Sequence, residues 1–205
     1  MTKRLFFACL SILLFKFLFF GKVAHAEIKI TRKYSYVDPK RKVPAKALAE
    51  ALEYFERHED QFSNRNFLAV IDYSKNSSEN RFHIIDLKSG DVTSLHVSHG
   101  RGSDKNRTGQ AELFSNVPQS NATSLGYFVG AETYSGKHGY SLKLDGLSPS
   151  NSNARNRAIV IHGADYVQDA PVIQGRSFGC PAVSLAQRDF VINALKGGSL
   201  IFATN

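Results

Sequence analysis

The apolar positions of this chain change their spacing near residue 62, and the change predicts one helix followed by a series of strands. Pro44 stands where a first helical residue is favoured, and apolar residues then recur at intervals of three and four up to Phe55. This pattern predicts an amphipathic helix ending near Gln61. From residue 67 onward the apolar runs are short and bounded by polar turns, as is typical of strands. The predicted strands are 67–73, 82–87, 92–97, 125–129, 140–144, 158–161 and 200–203.

One further helix is predicted near the end of the chain. Ser184 and Gln187 have the spacing of a capping box, in which two side chains satisfy the free backbone amides of a first helical turn. Its predicted buried face consists of Phe190, Val191, Ala194 and Leu195. Gly and Ser are dense between residues 99 and 153, which indicates loops over a mostly antiparallel scaffold. The predicted fold is therefore mainly β with two flanking helices.

The first 26 residues have the pattern of a secretory signal peptide. Lys3 and Arg4 precede an apolar run at 5–15, and Ala24-His25-Ala26 supplies the small residues that a signal peptidase requires. Lys16 interrupts the run, which is shorter than the roughly 20 residues that span a bilayer. We expect export to the periplasm or cell envelope without a stable membrane anchor. An uncleaved N-terminal anchor is the alternative.

Loss of this leader changes the charge and the cysteine count. The leader carries four Lys or Arg and no acid, so the net charge falls from +8 to +4, too small to indicate a nucleic-acid partner. Residues 27–43 are predicted to form a basic arm, and 44–205 a single domain. Cys9 is lost with the leader, so Cys180 has no internal partner. Its thiol is free, paired between chains, or used in chemistry.

Cys180 and His162 lie in positions that suit a nucleophile and its base. Gly179 lets the backbone bend before Cys180, while His162 follows the apolar strand predicted at 158–161. A thiol near an imidazole and a helix N-terminus favours the thiolate. Spacing alone does not prove contact, and the bland alternative is a small buried cysteine with a structural histidine. These residues leave a cysteine acyl-transfer enzyme as one of two open interpretations.

Several motifs resemble one family. Ile161-His162-Gly163, followed after 14 residues by Ser177-Phe178-Gly179-Cys180, resembles the signature of bacterial L,D-transpeptidases of the YkuD type, in a divergent branch. Motifs at 97–100, 114–116, 124–128, 136–140 and 157–164 occur in the corresponding order, so the resemblance covers about 67–203. It implies an L,D-transpeptidase-like β-sandwich or barrel with a few flanking helices.

The resemblance also implies roles for single residues. Cys180 would be the nucleophile and His162 the base, oriented by a backbone carbonyl near Gly163. The amides of Gly179 and Cys180 would form the oxyanion hole. Ser177 would hold the turn or contact substrate.

Two positions depart from the family pattern and raise the question of what replaces them. The family commonly has His at Phe178 and Arg or Asn at Ala182. The residues we expect to supply the missing contacts are Arg176, His138 and His99. His99, His138 and Tyr140 either line the substrate cleft or are loop residues bonded to backbone, whereas Arg155 and Arg157 are expected to face solvent.

The implied reaction is acyl transfer on peptidoglycan stem tetrapeptides. Cys180 would form a thioester and release D-Ala, and a second stem amine or water would resolve it, giving a 3–3 cross-link or hydrolysis. The resemblance implies no cofactor and no metal, and it implies carbapenems as covalent inhibitors.

Two other functions remain open. His96 and His99, with His162 and Asp165, have spacings that would suit a zinc-dependent peptidoglycan peptidase or amidase. A non-catalytic module that binds the cell wall is the second alternative.

Overall fold

The computed structural model describes residues 32–205, so the predicted leader and residues 27–31 of the predicted arm lie outside the described part. The helices are α1, Ala45–Arg57, and α2, Arg188–Leu195. The strands are β1 Phe67–Asp72, β2 Phe82–Asp86, β3 Val92–Leu95, β4 His99–Gly100, β5 Gly126–Gly136, β6 Gly139–Gly146, β7 Val160–Ala164, β8 Arg176–Ser177, β9 Ala182–Ser184 and β10 Leu200–Thr204. Within residues 32–205, neither helix is long and apolar enough to cross a bilayer.

Eight of these strands form one strongly curved sheet in the order β3-β2-β1-β10-β5-β6-β7-β9. Most neighbours are antiparallel, and β1–β10 and β7–β9 are parallel. The short strands β4 and β8 form a second, parallel pair. The prediction of a mainly β fold with two flanking helices is confirmed.

Helix α1 covers one face of the sheet. Leu48, Leu52 and Phe55 are buried in a core that also contains Leu68 and Phe202. The helix ends at Arg57, and a 3₁₀ turn at Glu59–Gln61 extends the helical segment to the predicted end.

The segment predicted as an arm packs on this core from Tyr34 onward. Tyr34, Val37 and Val43 are buried in the same cluster. The carboxylate of Asp38 accepts the backbone N–H groups of Lys42 and Val43 at 2.9 and 2.8 Å. Buried apolar side chains and a satisfied turn hold this stretch on the domain.

Helix α2 covers the other face and begins later than the capping-box pattern predicts. Ser184 is the last residue of β9, and α2 begins at Arg188. The predicted start is wrong because parallel pairing with β7 keeps Ser184 extended, although its hydroxyl still accepts the Gln187 N–H at 3.2 Å. Phe190 is 42% exposed, and Ile192 takes its place in the buried face.

The pairing of β7 with β9 positions the candidate site. In register, His162 lies opposite Ala182, and on the other side of the segment His99 lies opposite Arg176. The chain from 176 to 184 therefore runs between β4 and β7. Strand β7 starts at Val160, two residues later than predicted, because Ala158 has a left-handed φ of +53°.

Candidate active site

Cys180 ends a tight turn, residues 177–180, which we call the cysteine turn. Gly179 has a φ of +125°, and a Cβ there would lie 2.9 Å from the Ala122 carbonyl oxygen, so the position requires glycine. The Ser177 hydroxyl donates to the Cys180 carbonyl at 2.7 Å and accepts the Gly179 N–H at 3.0 Å. Ser177 is buried, and its hydroxyl closes the turn rather than facing a cleft.

These bonds change the expected oxyanion hole. The Gly179 N–H is already donated to Ser177, so the prediction that this amide is free for a substrate oxygen is wrong. The Cys180 N–H makes no hydrogen bond within residues 32–205. Of the two predicted donors, only the Cys180 amide is available to a developing oxyanion.

The Cys180 sulfur is held against the start of β7. Its Sγ lies 3.6 Å from the Ala158 carbonyl oxygen, to which the thiol donates. Burial raises the pKa of the Cys180 thiol, and the opposing effects of the Val160 amide and the Arg157 charge do not cancel this. The resting group is therefore the protonated thiol. Burial thus opposes the resting thiolate that the sequence predicts.

His162 is buried on β7 with its ring orientation fixed. Its Nδ1 lies 3.0 Å from the Gly163 carbonyl oxygen, which requires an N–H at Nδ1 and leaves Nε2 as an acceptor. The ring stacks on His138, in the β5–β6 turn, with centroids 4.3 Å apart. Burial, and secondarily the nearby His138, lower the pKa of His162, against a hydrogen bond to Gly163 that raises it. A neutral imidazole with a free acceptor nitrogen can take a proton.

The structure brings Cys180 and His162 to neighbouring segments, and within residues 32–205 their side chains are not hydrogen-bonded to each other. Because His162 is in register with Ala182, Cys180 lies beside the chain at Val160. No hydrogen bond joins Sγ to the imidazole in the described part of the chain, since Sγ donates to Ala158. A rotation about the Cα–Cβ bond of Cys180 is the smallest change that would release the thiol from this carbonyl.

A small cavity lies at the start of β7. Ala158 and Val160, which contact Sγ through their backbones, also line a cavity of about 140 Å³. Tyr134, Lys143 and Arg155 form its other wall. The cavity therefore shares two backbone segments with the surroundings of the thiol, although Cys180 is not among its lining residues.

His99 does not line a cleft. Its side chain is buried; Arg81 Nη2 donates to Nδ1 at 2.8 Å, and Nε2 lies 3.3 Å from an Asp104 oxygen. Burial, and then the Arg81 charge, lower the pKa of His99 to about 4, so it is neutral at neutral pH. The prediction that His99 contacts substrate is wrong because both ring nitrogens serve an internal network.

The same network engages His99, one of the four ligands that the zinc alternative needs. His99 has no free nitrogen, and Nε2 of His96 lies 3.1 Å from the Ser78 carbonyl. Within residues 32–205, no three His, Cys, Asp or Glu side chains group as a metal site.

Tyr140 is also outside the site, whereas His138 is part of it. The Tyr140 hydroxyl donates to Asn193 Oδ1 at 3.3 Å, and its ring packs on the core beneath α2. In the β6–β7 pair it is Ser141, not Tyr140, that lies opposite His162. Tyr140 therefore joins β6 to α2, and its predicted substrate contact is wrong because its side chain points to the other face of the sheet.

Comparison with known proteins decides the family. A family model described as the L,D-transpeptidase catalytic domain matches residues 39–204. The chain belongs to this family. No curated protein sequence matches the chain significantly.

Several solved L,D-transpeptidases are similar to this chain at low sequence identity. The L,D-transpeptidase of Xylanimonas cellulosilytica (residues 123–326) is 17% identical, with a TM-score of 0.42 over 69% of this chain and 62% of that one. An L,D-transpeptidase of Mycobacterium tuberculosis is 14% identical, with a TM-score of 0.45 over 68% and 58%. L,D-transpeptidase 3 of M. tuberculosis, in complex with a faropenem-derived adduct, is 13% identical, with a TM-score of 0.46 over 68% and 60%. The chain spans about three fifths of the length of these structures.

This L,D-transpeptidase domain differs from the common family pattern at Phe178 and Ala182. Phe178 is 64% exposed, and the guanidinium of Arg101 lies 4.3 Å from its ring centroid. Ala182 is fully buried, and its backbone exchanges hydrogen bonds with Ser98. At Phe178, an exposed apolar ring in contact with a guanidinium thus replaces the family's histidine. At Ala182, no polar side chain is present to reach the surface. Arg176, also proposed as a substitute, lies on β8 and donates to the Asp104 carbonyl.

Arg157 is a site residue that sequence reasoning missed. It is half-buried and donates to the carbonyls of Ser115 and Ala122, each at 2.6 Å, and to the hydroxyls of Ser120 and Ser124. Its Nη2 lies 3.2 Å from where a Cβ on Gly179 would be. The expectation that Arg157 faces solvent is wrong.

No sequence signal separates Arg157 from its near neighbour. Arg155 does face solvent, where it pairs with Glu132 and Asp145. The loop carbonyls that bind Arg157 lie more than 30 residues away in the chain, so only the folded structure brings them together.

Proposed function

We propose that this chain is a peptidoglycan L,D-transpeptidase that forms a thioester between Cys180 and a stem tetrapeptide. The observation that carries the proposal is the cysteine turn, which presents the thiol and a free Cys180 amide beside the segment that holds His162. Membership of the L,D-transpeptidase catalytic domain family supports it. The transpeptidase activity, the peptidoglycan substrate and the stem-peptide partners all rest on this proposal.

The first step moves a proton from sulfur to nitrogen. Burial disfavours both charged forms, so a neutral thiol and a neutral imidazole are the resting pair. When Cys180 turns from the Ala158 carbonyl, Nε2 of His162 takes the thiol proton. The Gly163 carbonyl then stabilises the imidazolium through Nδ1.

The thiolate attacks the carbonyl carbon of the third stem residue, and the C=O electron pair moves to oxygen. The Cys180 amide donates to that oxygen, a contribution of typically a few kcal/mol for one fixed donor. Collapse breaks the bond to the terminal D-Ala, and the His162 proton goes to the departing amine. An amine of a second stem then attacks the thioester to give a 3–3 cross-link, or water attacks to give the acid.

We also propose that this reaction takes place outside the cytoplasm, in the periplasm or cell envelope. The support is the signal-peptide pattern of residues 1–26. A thioester carries the energy of the cleaved bond forward, which suits a compartment without ATP.

The test is intact mass after incubation with a tetrapeptide stem or with a carbapenem, whose strained lactam acylates a nucleophile. We expect an adduct in the parent and none in Cys180→Ala. Unchanged mass of the parent with both reagents would contradict the proposal.

Two inhibitors separate the alternatives. Loss of activity with a thiol alkylator supports Cys180, while loss with a chelator alone supports the zinc alternative. Wall binding by Cys180→Ser with no turnover in the parent would support a non-catalytic module.

A further inference from the structure

A cavity lined by arginines adjoins the cysteine turn. It has a volume of about 390 Å³ and lies between the loop at 101–107 and the segment at 173–176. Arg101, Arg107 and Arg176 are among the residues that line it. We call it the arginine cavity.

These three arginines are not ion-paired in the part of the chain that the structure describes, residues 32–205. Arg176 donates to the Asp104 carbonyl, Arg101 stacks on Phe178, and the Arg107 side chain makes no hydrogen bond or ring contact in the same range. Three unneutralised cations around one concave surface produce a strong local positive potential.

The one carboxylate in the cavity wall is already engaged. Asp104 is buried and accepts the backbone N–H groups of Thr108 and Gly109, both at 2.9 Å, and it also faces His99. These bonds hold the loop in shape and keep the pKa of the Asp104 carboxyl below its usual range. Asp104 therefore fixes the loop that carries Arg101 and Arg107.

The arginine cavity is joined directly to the cysteine turn. The Arg101 N–H donates to the Ser177 carbonyl at 2.8 Å, and its guanidinium lies 4.3 Å from the Phe178 ring centroid. The Cα atoms of Phe178 and Cys180 are two residues apart, a separation of at most about 7 Å. The residue on which the Arg101 guanidinium stacks is thus only two positions from the nucleophile in the chain.

We propose that the arginine cavity binds a free carboxylate of the peptide that acylates Cys180, an inference that rests on the proposed function. A guanidinium matches a carboxylate through two parallel N–H···O bonds, which gives both affinity and orientation. The carboxylate comes either from the terminal D-Ala or from an acidic residue within the stem. Ile173, 55% exposed at the cavity wall, offers an apolar contact for a neighbouring methyl group.

The test measures the Kd of a tetrapeptide stem for the full chain in a Cys180→Ala background, where no turnover occurs. Arg107→Gln is the first variant, because its side chain holds no other part of the fold. We expect about a tenfold weaker Kd for Arg107→Gln, with partial recovery in Arg107→Lys. Arg176→Gln is the second variant and is expected to act in the same direction.

The matched control is Arg41→Gln. Arg41 is also exposed and also has a left-handed φ, +50° against +58° for Arg107, but it lies near α1, away from the cysteine turn. The Kd of the tetrapeptide stem for the Arg41→Gln variant is expected to equal its Kd for the Cys180→Ala background protein. Far-UV circular dichroism confirms that all variants are folded.

Modified peptides identify the source of the carboxylate. If the terminal D-Ala supplies it, a C-terminal amide binds as weakly to the background protein as the free acid binds to Arg107→Gln. If an internal acid supplies it, amidation of that side chain has this effect instead. Either result supports the proposal.

Three results would overturn it. They are an unchanged Kd in both Arg107→Gln and Arg176→Gln, an equal loss in Arg41→Gln, or inorganic phosphate binding as tightly as the peptide. Failure here is distinguishable from failure of the proposed function. An adduct on Cys180 with arginine-independent binding overturns only this inference, whereas arginine-dependent binding with no adduct overturns only the thioester.

Discussion

Replacement of Arg157 by Gln tests how the cysteine turn is held. The guanidinium donates to two main-chain carbonyls, each at 2.6 Å, and to two serine hydroxyls. A charged hydrogen bond contributes about 1.5–3 kcal/mol when buried, and Arg157 is only half-buried. We therefore expect the two carbonyl contacts to account for about 2–4 kcal/mol of the free energy of unfolding.

The same substitution removes the positive charge that lowers the pKa of Cys180. The thiol is then harder to ionise, so the pH profile of Cys180 alkylation shifts to higher pH in Arg157→Gln. The assay pairs urea unfolding with the rate of iodoacetamide labelling between pH 7 and 10.

The matched control is Arg155→Gln, two residues earlier. Arg155 forms exposed ion pairs with Glu132 and Asp145, and exposed pairs contribute about 0–1 kcal/mol. Equal destabilisation by the two substitutions, or an alkylation profile that does not move in Arg157→Gln, would refute the reasoning.

The remaining predictions follow from the same geometry. Gly179→Ala places a Cβ 2.9 Å from the Ala122 carbonyl oxygen at a φ of +125°. We therefore expect the free energy of unfolding, measured in urea, to fall by about 1–3 kcal/mol and the Cys180 adduct to be lost. A stable, active variant would contradict the turn geometry. Alkylation of Cys180 in the parent rises only above the ordinary thiol range near pH 8.5, and a rate already at its plateau at pH 6 would show a resting thiolate instead. Burial lowers the pKa of both His83 and His99 to about 4, so their contribution to stability is complete above the ordinary histidine pKa and is lost as pH falls from about 6.5 to 4, on the order of 3 kcal/mol per group. The free energy of unfolding of His83→Gln, measured in urea, is then expected to change less with pH than that of the parent. An identical pH dependence in the two proteins would contradict the assignment.

Most of the sheet could be predicted because its strands carry their own signal. Strands β1 and β10 are nearly continuous apolar runs between turns, so burial on both faces is visible in the sequence. Strands β4, β8 and β9 have two or three residues each and were not predicted. Their extended conformation depends on partners more than 15 residues away, which no local pattern encodes.

The residues of the candidate site also fall into two groups, those that a sequence motif identifies and those that only the folded structure reveals. Cys180, His162 and Gly163 were identified because their spacing forms a motif, and the structure places them on adjacent segments. His99 and Tyr140 were misassigned because a histidine or tyrosine in a polar stretch gives no sign of which face of a strand it occupies. Arg157 was missed for the opposite reason, since its partners are loop carbonyls that only the fold collects.

The most direct measurement of the central claim is the stoichiometry of D-Ala release against acylation. A tetrapeptide stem is mixed with the protein, the free D-Ala is quantified, and the acylated residue is mapped by tandem mass spectrometry. The account predicts one D-Ala released per acyl group formed in the first turnover, with the acyl group on Cys180 and neither product in Cys180→Ala. Release of D-Ala at an undiminished rate by Cys180→Ala would contradict it.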